Sequence, residues 1–463
     1  MKITLIEPAS PGVHVFSKVK APRLGLPILG TILKNQGHQV TVYVEEIRKV
    51  DFSEALASDV VGISTITSTA PRAYRLADRI KRHAPELPVV IGGPHPTFMT
   101  REALQHADYC VTGEGEISFP ALVEALDEGR TPDHIPGLAY KSGENTVISR
   151  RSRTPDLSDL PFADMDLVAG WDSLRLGPFT RRLMPFCTSR GCPHGCRFCS
   201  VISMFGRRYR FRPVDDVLEE LSRHKDSVIF FYDDNFAADR ARTRRLLRGI
   251  IDAGLDLQWS AQVRVDIASD PDLLDMMTEA GATMLYIGFE SVNQQTLDEY
   301  EKGQNLEQMR QAIDTIHDRG LRIHGMFVIG GEGDRADTPR KTVDFALEHG
   351  IDTIQLLMLT PVPGTELFDN LRKQERLITD DWEYYDGHHA VFRPANMSPY
   401  QMQFEVMKET ARFYSLRRCL NLAARLDIAN SYFNFYGYKT VKKWIDDVKN
   451  NGYLSFLQQN FAT

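Results

Sequence analysis

The segment CTSRGCPHGCRFCS, residues 187–200, packs four of the chain's six cysteines into one short stretch. Three of them, Cys192, Cys196 and Cys199, form a C-x-x-x-C-x-x-C array directly after RLMPFCTS, which reads as a strand. Clustered thiolates bind soft metals and iron–sulfur clusters. A structural zinc site takes four ligands, commonly as paired C-x-x-C units. Here Cys110 and Cys419 are far away in sequence. Cys187 sits on the preceding strand, as a buried thiol or as the fourth ligand of a zinc ion. Three close cysteines hold three irons of a four-iron cluster and leave the fourth open to a substrate. The N-terminus, MKITLIEPAS, reads as a buried strand and lacks the layout of a signal peptide. The expected compartment is the cytoplasm, where thiols stay reduced and clustered cysteines are metal ligands rather than disulfides.

The array sits inside a long alternation of strands and helices. Residues 1–140 carry the apolar runs KITLIEP, QVTVYVE, VVGIST, VVIGGP and DYCVTGEG, with amphipathic stretches between them. This pattern predicts an α/β domain, a doubly wound parallel sheet with helices on both faces. Each run ends in small or turn-forming residues: Ser64-Thr65, Gly92-Gly93-Pro94 and Gly113-Glu114-Gly115 among them. Ligands bind outside the carboxyl ends of such strands, and glycines there let a large ligand approach the backbone. Residues 141–180 are polar and read as a linker. From 181 to 375 six further strand–helix units suggest a partial (βα)6, TIM-like barrel, with polar residues at the strand ends where barrel sites are built. Residues 376–463 are helix-prone and rich in aromatics, as in SYFNFYGYKTVKKW. They read as a helical extension whose aromatics are ordinary core, or alternatively a cover over a hydrophobic substrate. With 55 Lys and Arg against 62 Asp and Glu, the net charge of −7 does not suggest a nucleic-acid binder. The run Arg207–Arg212 reads as a solvated face or an interdomain clamp. No apolar run approaches the length of a membrane span.

The cysteine array after a first barrel strand, with Phe198 before its third cysteine, resembles the radical SAM superfamily. The resemblance implies a [4Fe-4S] cluster on Cys192, Cys196 and Cys199 whose open iron chelates S-adenosylmethionine (SAM). One electron then splits the sulfonium to give a 5′-deoxyadenosyl radical. It also implies SAM contacts from Asp233 and Asp234 ending the second strand, for which helix capping is the alternative. Further contacts fall to Gln262 and Arg264 on the third strand and Glu290 on the fourth, or these last two simply form a salt-bridged rim. Gly325–Gly331 and Thr360–Gly364 resemble the strand ends that pass the adenine, with Glu332 a rim residue.

Residues 89–116 resemble the flavodoxin-like cobalamin-binding domain that precedes the barrel in one radical SAM class. The resemblance implies cobalamin contacts from Gly92, Gly93, Pro94, Gly113, Glu114 and Gly115. Ser64, Thr65 and Thr67 either contact the corrin or cap the next helix. His95 is expected to anchor its loop or to contact the cobalamin tail, rather than to ligate cobalt. The Asp-x-His-x-x-Gly loop of cobalamin-dependent mutases is absent; His14 is there without its neighbours. No histidine is therefore expected as the lower cobalt ligand.

The implied activity is a cobalamin-dependent radical SAM methyltransferase acting on an unactivated carbon of a small, in one reading hydrophobic, substrate. A flavodoxin or ferredoxin would supply electrons, under anaerobic conditions. A radical SAM cyclase or carbon–carbon bond-forming enzyme on a lipid-like or tetrapyrrole substrate is the rival, and a non-catalytic cobalamin-binding sensor the third option. Tyr384, Tyr385, His388 and His389 are among too many candidates for the hydrogen or proton donor.

Overall fold

The structure, a computed structural model, describes residues 1–13, 21–174 and 182–462. His14 and the expected first residue of the barrel, 181, lie outside the described residues.

The first sheet begins with five parallel strands: β1 (Lys2–Glu7), β2 (Gln39–Val44), β3 (Val60–Ser64), β4 (Val89–Gly92) and β5 (Tyr109–Val111), in the order β2-β1-β3-β4-β5. Helices on both faces explain their continuous apolar sequences; Ile3, Leu5, Ile6, Val60, Val61, Val89 and Ile91 are fully buried or nearly so. The order reverses between β1 and β3, and this switch point opens a crevice at the carboxyl edge. The sheet does not stop near residue 140. A hairpin, β6 (Leu138–Ser142) and β7 (Asn145–Ile148), pairs antiparallel onto β5 and extends it to seven strands. The expected boundary at 140 therefore cuts through a hairpin. Its polar outer strand, NTVI, resembles a linker because it pairs along one edge only.

The second sheet has six parallel strands in sequential order: β8 (Arg182–Phe186), then, after a short ribbon of β9 (Ser189–Arg190) and β10 (Arg210–Phe211), β11 (Ser227–Phe231), β12 (Gln258–Val263), β13 (Ala282–Glu290), β14 (Arg322–Ile329) and β15 (Thr353–Met358). Each is joined to the next by a helical crossover. β8 and β15 each pair on one side only, so the barrel is open. Phe231, Phe236 and Trp259 pack together in its wall, and the Trp259 indole donates to the Ala280 carbonyl at 2.8 Å.

The chain ends in helices Pro399–Phe413, Leu416–Ala424, Ile428–Asn450 and Tyr453–Phe461. Tyr414 anchors them to β15: its hydroxyl accepts from the Ile354 amide and donates to the Ile354 carbonyl at 2.6 Å. The expectation that the aromatics of this region are core, or cover a substrate, holds for Trp444 and Tyr453 only as core. Tyr432, Phe433 and Phe435 are exposed.

Candidate functional site

The carboxyl edges of the two sheets face each other. Between them lies a crevice with about 1380 Å³ of free space, partly open to solvent. One wall is glycine-rich: Gly62, Gly92, Gly93, Gly113 and Gly115. The other comes from the barrel and includes Cys187, Ser189, Arg190, Tyr232 and Asp234. A second cavity, under β14 and β15, is lined by Phe198, Val328, Leu357, Met358, Thr360 and Asp386 among others. Glu7, Arg23, Ile66 and Tyr232 line both.

The glycine shelf is a consequence of local geometry. Gly93 has φ +104°, and a Cβ there would meet the Thr65 carbonyl oxygen at 2.6 Å. Gly113, at φ +76°, has nothing within 4 Å of its Cβ position. Only glycine adopts these conformations cheaply, and the bare backbone leaves room for a flat, wide ligand. Gly93→Ala is expected to destabilise the first domain by about 1–3 kcal/mol, the usual cost of such a strained backbone. It should also weaken corrin retention on gel filtration more than it lowers the melting temperature of the barrel.

Among the cobalamin candidates, Gly92, Gly93, Pro94, Gly113, Glu114 and Gly115 line this crevice, as does Ser64. Thr65 and Thr67 do not. Thr65 is fully buried, and its hydroxyl is paired with that of Thr69 at 2.6 Å, so it shapes the turn. His95 is also buried. Its Nε2 lies 3.3 Å from Glu102, and its ring packs edge-on against Trp382, whose indole donates to the same carboxylate at 3.0 Å. It ties the loop after β4 to the C-terminal region. The described residues lining the crevice include no histidine.

The shelf is clamped to the barrel by charge. The β9–β10 ribbon sets Arg190 opposite Arg210. Arg190 pairs with Glu114 at 2.8 Å and with Glu116 at 2.6 Å, and Arg210 with Glu114 at 2.7 Å. Arg212 donates to the carbonyls of Leu157, Leu160 and Pro161. The arginine run is thus an interdomain clamp at Arg210 and Arg212. Neither Arg190 nor Glu116 carries a motif of its own; the spacing of Glu114-Gly-Glu116 is the one signal of the pair in the sequence.

The cysteine loop hangs from the end of β8. Asp233 is fully buried and accepts from the Thr188 amide at 3.1 Å, the Thr188 hydroxyl at 2.7 Å and the Ser189 hydroxyl. Arg242, equally buried, donates to the Thr188 hydroxyl and carbonyl and to the Arg212 carbonyl. Asp233 therefore positions the turn into the loop, with its lone pairs already engaged. Asp234 faces the crevice; burial, opposed by the Gly191 amide it accepts from at 2.9 Å, pushes its pKa up to about 6. Of the two aspartates, Asp234 is the one placed to meet an ammonium group.

Burial pushes the pKa of Cys187 up to about 12 and that of Cys199 up to about 11. Cys187 differs in its partner: its thiol donates to the Ser189 carbonyl at 3.0 Å. Among the described residues no three His, Cys, Asp or Glu side chains converge on one ion position. The Arg264 guanidinium lies 3.9 Å from the Cys196 sulfur. Arg264 also donates to the Lys302 carbonyl at 2.6 Å.

Glu290 ends β13 in a left-handed conformation, φ +63°, at a register shift after Gly288. Such strain in a non-glycine residue persists only where its surroundings hold it. Lys302, buried with it, pairs with Glu290 at 2.6 Å. Lys302 carries no sequence motif and only the fold reveals it. Gln262 donates weakly to the Asp233 carbonyl, at 3.5 Å. Phe198 packs on Tyr300 with ring centroids 4.8 Å apart. At the end of β14, the amides of Gly330 and Gly331 donate to Asp334 at 2.9 and 3.1 Å. Glu332 lies on the rim, paired with Arg376 at 2.7 Å. Of the donor candidates, Tyr385 lines the second cavity but spends its hydroxyl on the Thr379 carbonyl at 2.8 Å, and His389 is held by Asp386 at 3.0 Å.

Glu7 sits where the two cavities meet. Burial raises its pKa above 4.5, although Arg23, at 3.3 Å, opposes this. A carboxyl whose folded pKa is raised contributes least to stability once ionised, so its contribution is lost as pH rises through the folded value. Glu7→Gln should therefore match the parent at acid pH. It should gain melting temperature over the parent as pH climbs past 4.5, a gap that pH-resolved calorimetry of the cofactor-free protein would read.

Residues 186–360 match the Radical SAM superfamily and residues 15–123 match the B12 binding domain. An uncharacterized methyltransferase of Pyrococcus horikoshii is 31% identical over 431 residues, covering 89% of this chain and 92% of that protein. Bacteriochlorophyllide d C-12(1)-methyltransferase of Chlorobaculum tepidum is 30% identical over 346 residues, 73% of this chain and 71% of that one. Anaerobic magnesium-protoporphyrin IX monomethyl ester cyclase of Rubrivivax gelatinosus is 28% identical over 413 residues, 85% and 74%. Among solved structures, the cobalamin-dependent SAM radical enzyme OxsB, with aqua-cobalamin and SAM bound, superposes with a TM-score of 0.69 at 16% identity, over 94% of this chain and 72% of that one. The chain belongs to the radical SAM superfamily, in the group that carries a B12-binding domain ahead of the barrel. It is an enzyme, and its cofactors are a [4Fe-4S] cluster, SAM and cobalamin.

Proposed function

We propose that the chain is a methyltransferase that methylates an unactivated carbon of a small molecule. When bound, the cluster and SAM supply a carbon-centred oxidant and the corrin supplies the methyl group. The observation that carries the reading is the shared crevice: the glycine shelf and the end of the barrel strand that bears the cysteine loop line the same space. Cys192, Cys196 and Cys199 would hold the cluster. Asp234, Gln262, Arg264 and Glu290 would face SAM, with Asp233 positioning the loop and Phe198 packing beside it. The shelf from Gly92 to Pro94 and from Gly113 to Gly115 would seat the corrin, with Ser64 at its edge. The mostly apolar second cavity, whose charged lining is Glu7, Arg23, Glu46 and Asp386, suits a largely hydrophobic substrate, and a tetrapyrrole is one class supported by the named relatives. Reaction in the cytoplasm under anaerobic conditions, with a flavodoxin- or ferredoxin-like donor, fits a buried reducing centre; no helix among the described residues is long and apolar enough to cross a membrane.

Anaerobic incubation with SAM, methylcobalamin, a low-potential reductant and candidate tetrapyrroles tests this. Methyl transfer yields S-adenosylhomocysteine together with 5′-deoxyadenosine. Deoxyadenosine with almost no S-adenosylhomocysteine would favour a cyclase or coupling reaction instead.

A further inference from the structure

The two helices Leu416–Ala424 and Ile428–Asn450 form a hairpin that the cofactor site does not use. It lies at the opposite end of the barrel. Arg418 donates to the Ile351 carbonyl at 2.8 Å, and Asn430 and Asn434 donate to Asp352, at 2.6 Å to its carboxylate and 3.1 Å to its carbonyl. Asp352 immediately precedes β15, so the hairpin is fixed to the floor of the barrel, away from the strand ends that face the crevice.

Its outer surface is apolar. Leu420 is 69% exposed, Leu426 83%, Ile428 63% and Tyr432 64%. Ile428, Tyr432, Phe435 and Lys439 follow at one-turn and two-turn spacing, which sets them in a single stripe. Cations border it: Arg417, Arg425, Lys439, Lys442 and Lys443 are all exposed, and the Lys439 ammonium lies 4.6 Å from the Phe435 ring centroid. Residues 416–443 hold six Lys and Arg and one Asp, in a chain whose net charge is −7. That single acid, Asp427, is spent on capping the second helix, where it accepts from the Asn430 amide at 3.2 Å.

From this surface we propose that the hairpin docks the enzyme on an anionic lipid bilayer. An exposed apolar and aromatic stripe between lysines and arginines is the pattern of a helix lying in a membrane interface: the apolar side chains enter the acyl boundary and the cations meet lipid phosphates. Self-pairing fits less well, because a two-fold contact through this face would bring two net-positive surfaces together. The docking is peripheral and leaves the crevice pointing away from the lipid, so it localises the enzyme without forming part of its site.

Flotation of the full-length holoprotein with vesicles of pure phosphatidylcholine, and with vesicles in which about a third of the lipid is phosphatidylglycerol, tests this. The protein should float with the anionic vesicles, stay behind with the neutral ones, and be released as salt rises. Lys439→Glu/Lys443→Glu should lower anionic-vesicle binding by about tenfold or more. Ile428→Glu/Tyr432→Glu should abolish it, and both variants should keep the melting temperature and SAM cleavage of the parent. Hydrogen exchange on the unaltered protein gives a reading that needs no variant: anionic vesicles should slow exchange in residues 416–443 and leave the crevice unchanged. Equal flotation with neutral vesicles, no flotation at all, or a dimer that Ile428→Glu dissociates would overturn the proposal, the last by making this face a contact between copies.

Discussion

Cys192→Ala, Cys196→Ala or Cys199→Ala is expected to drop SAM cleavage to background, with loss of the iron and sulfide of the reconstituted protein, whereas Cys187→Ala should retain both. The reason is geometric. The Cys187 thiol is engaged with the Ser189 carbonyl at 3.0 Å, while the other three sit on the loop that Asp233 and Arg242 anchor through Thr188. The Arg264 guanidinium also reaches Cys196 on that loop, at 3.9 Å. Iron and sulfide assay, together with deoxyadenosine release by each of the four variants, reads the difference directly. Loss of the cluster in Cys187→Ala would mean that a fourth protein ligand has been overlooked.

Arg190→Ala is expected to produce the largest loss of stability. Its side chain is 12% exposed, and those of Glu114 and Glu116 are 8% and 5% exposed. Breaking a buried pair leaves an uncompensated charge and costs about 3–5 kcal/mol. Here two carboxylates lose a partner, although Arg210 still reaches Glu114. Denaturant unfolding should show this loss, and corrin should be retained less well because Glu114 and Gly115 form one side of the shelf. Adding Glu116→Gln to Arg190→Ala should restore part of the stability, since it removes one of the stranded charges. A double-mutant cycle that comes out additive would mean that the pair contributes nothing as a pair.

The parts of this molecule legible in its sequence are those set by short-range pattern. The cysteine spacing, the apolar runs of both sheets and the glycines at strand ends are all local, and the structure keeps them. Asp233 and Asp234 show where local reading stops. They are adjacent and chemically identical, yet one faces inward to three donors and the other faces the crevice. Which way each points depends on the turn from β8, 43 to 45 residues earlier in the chain. The same holds for Lys302, which meets Glu290 only because the chain returns across the end of β13. Thr65 and His95 lie within the expected binding segments but face the turn and the C-terminal region, since a strand end has two sides and sequence does not say which is wet. Tyr432, Phe433 and Phe435 have the composition of a core helix. Only the packing reveals that their side of the hairpin is left exposed.

The central claim is that three cysteines, and not four, leave one corner of a cluster for SAM. Electron paramagnetic resonance of the reduced, anaerobically reconstituted protein tests it most directly. The account predicts a [4Fe-4S] signal that changes when SAM is added, in the parent and in Cys187→Ala alike. A protein that carries one zinc ion per chain and no iron, or a cluster signal that SAM leaves untouched, would contradict it.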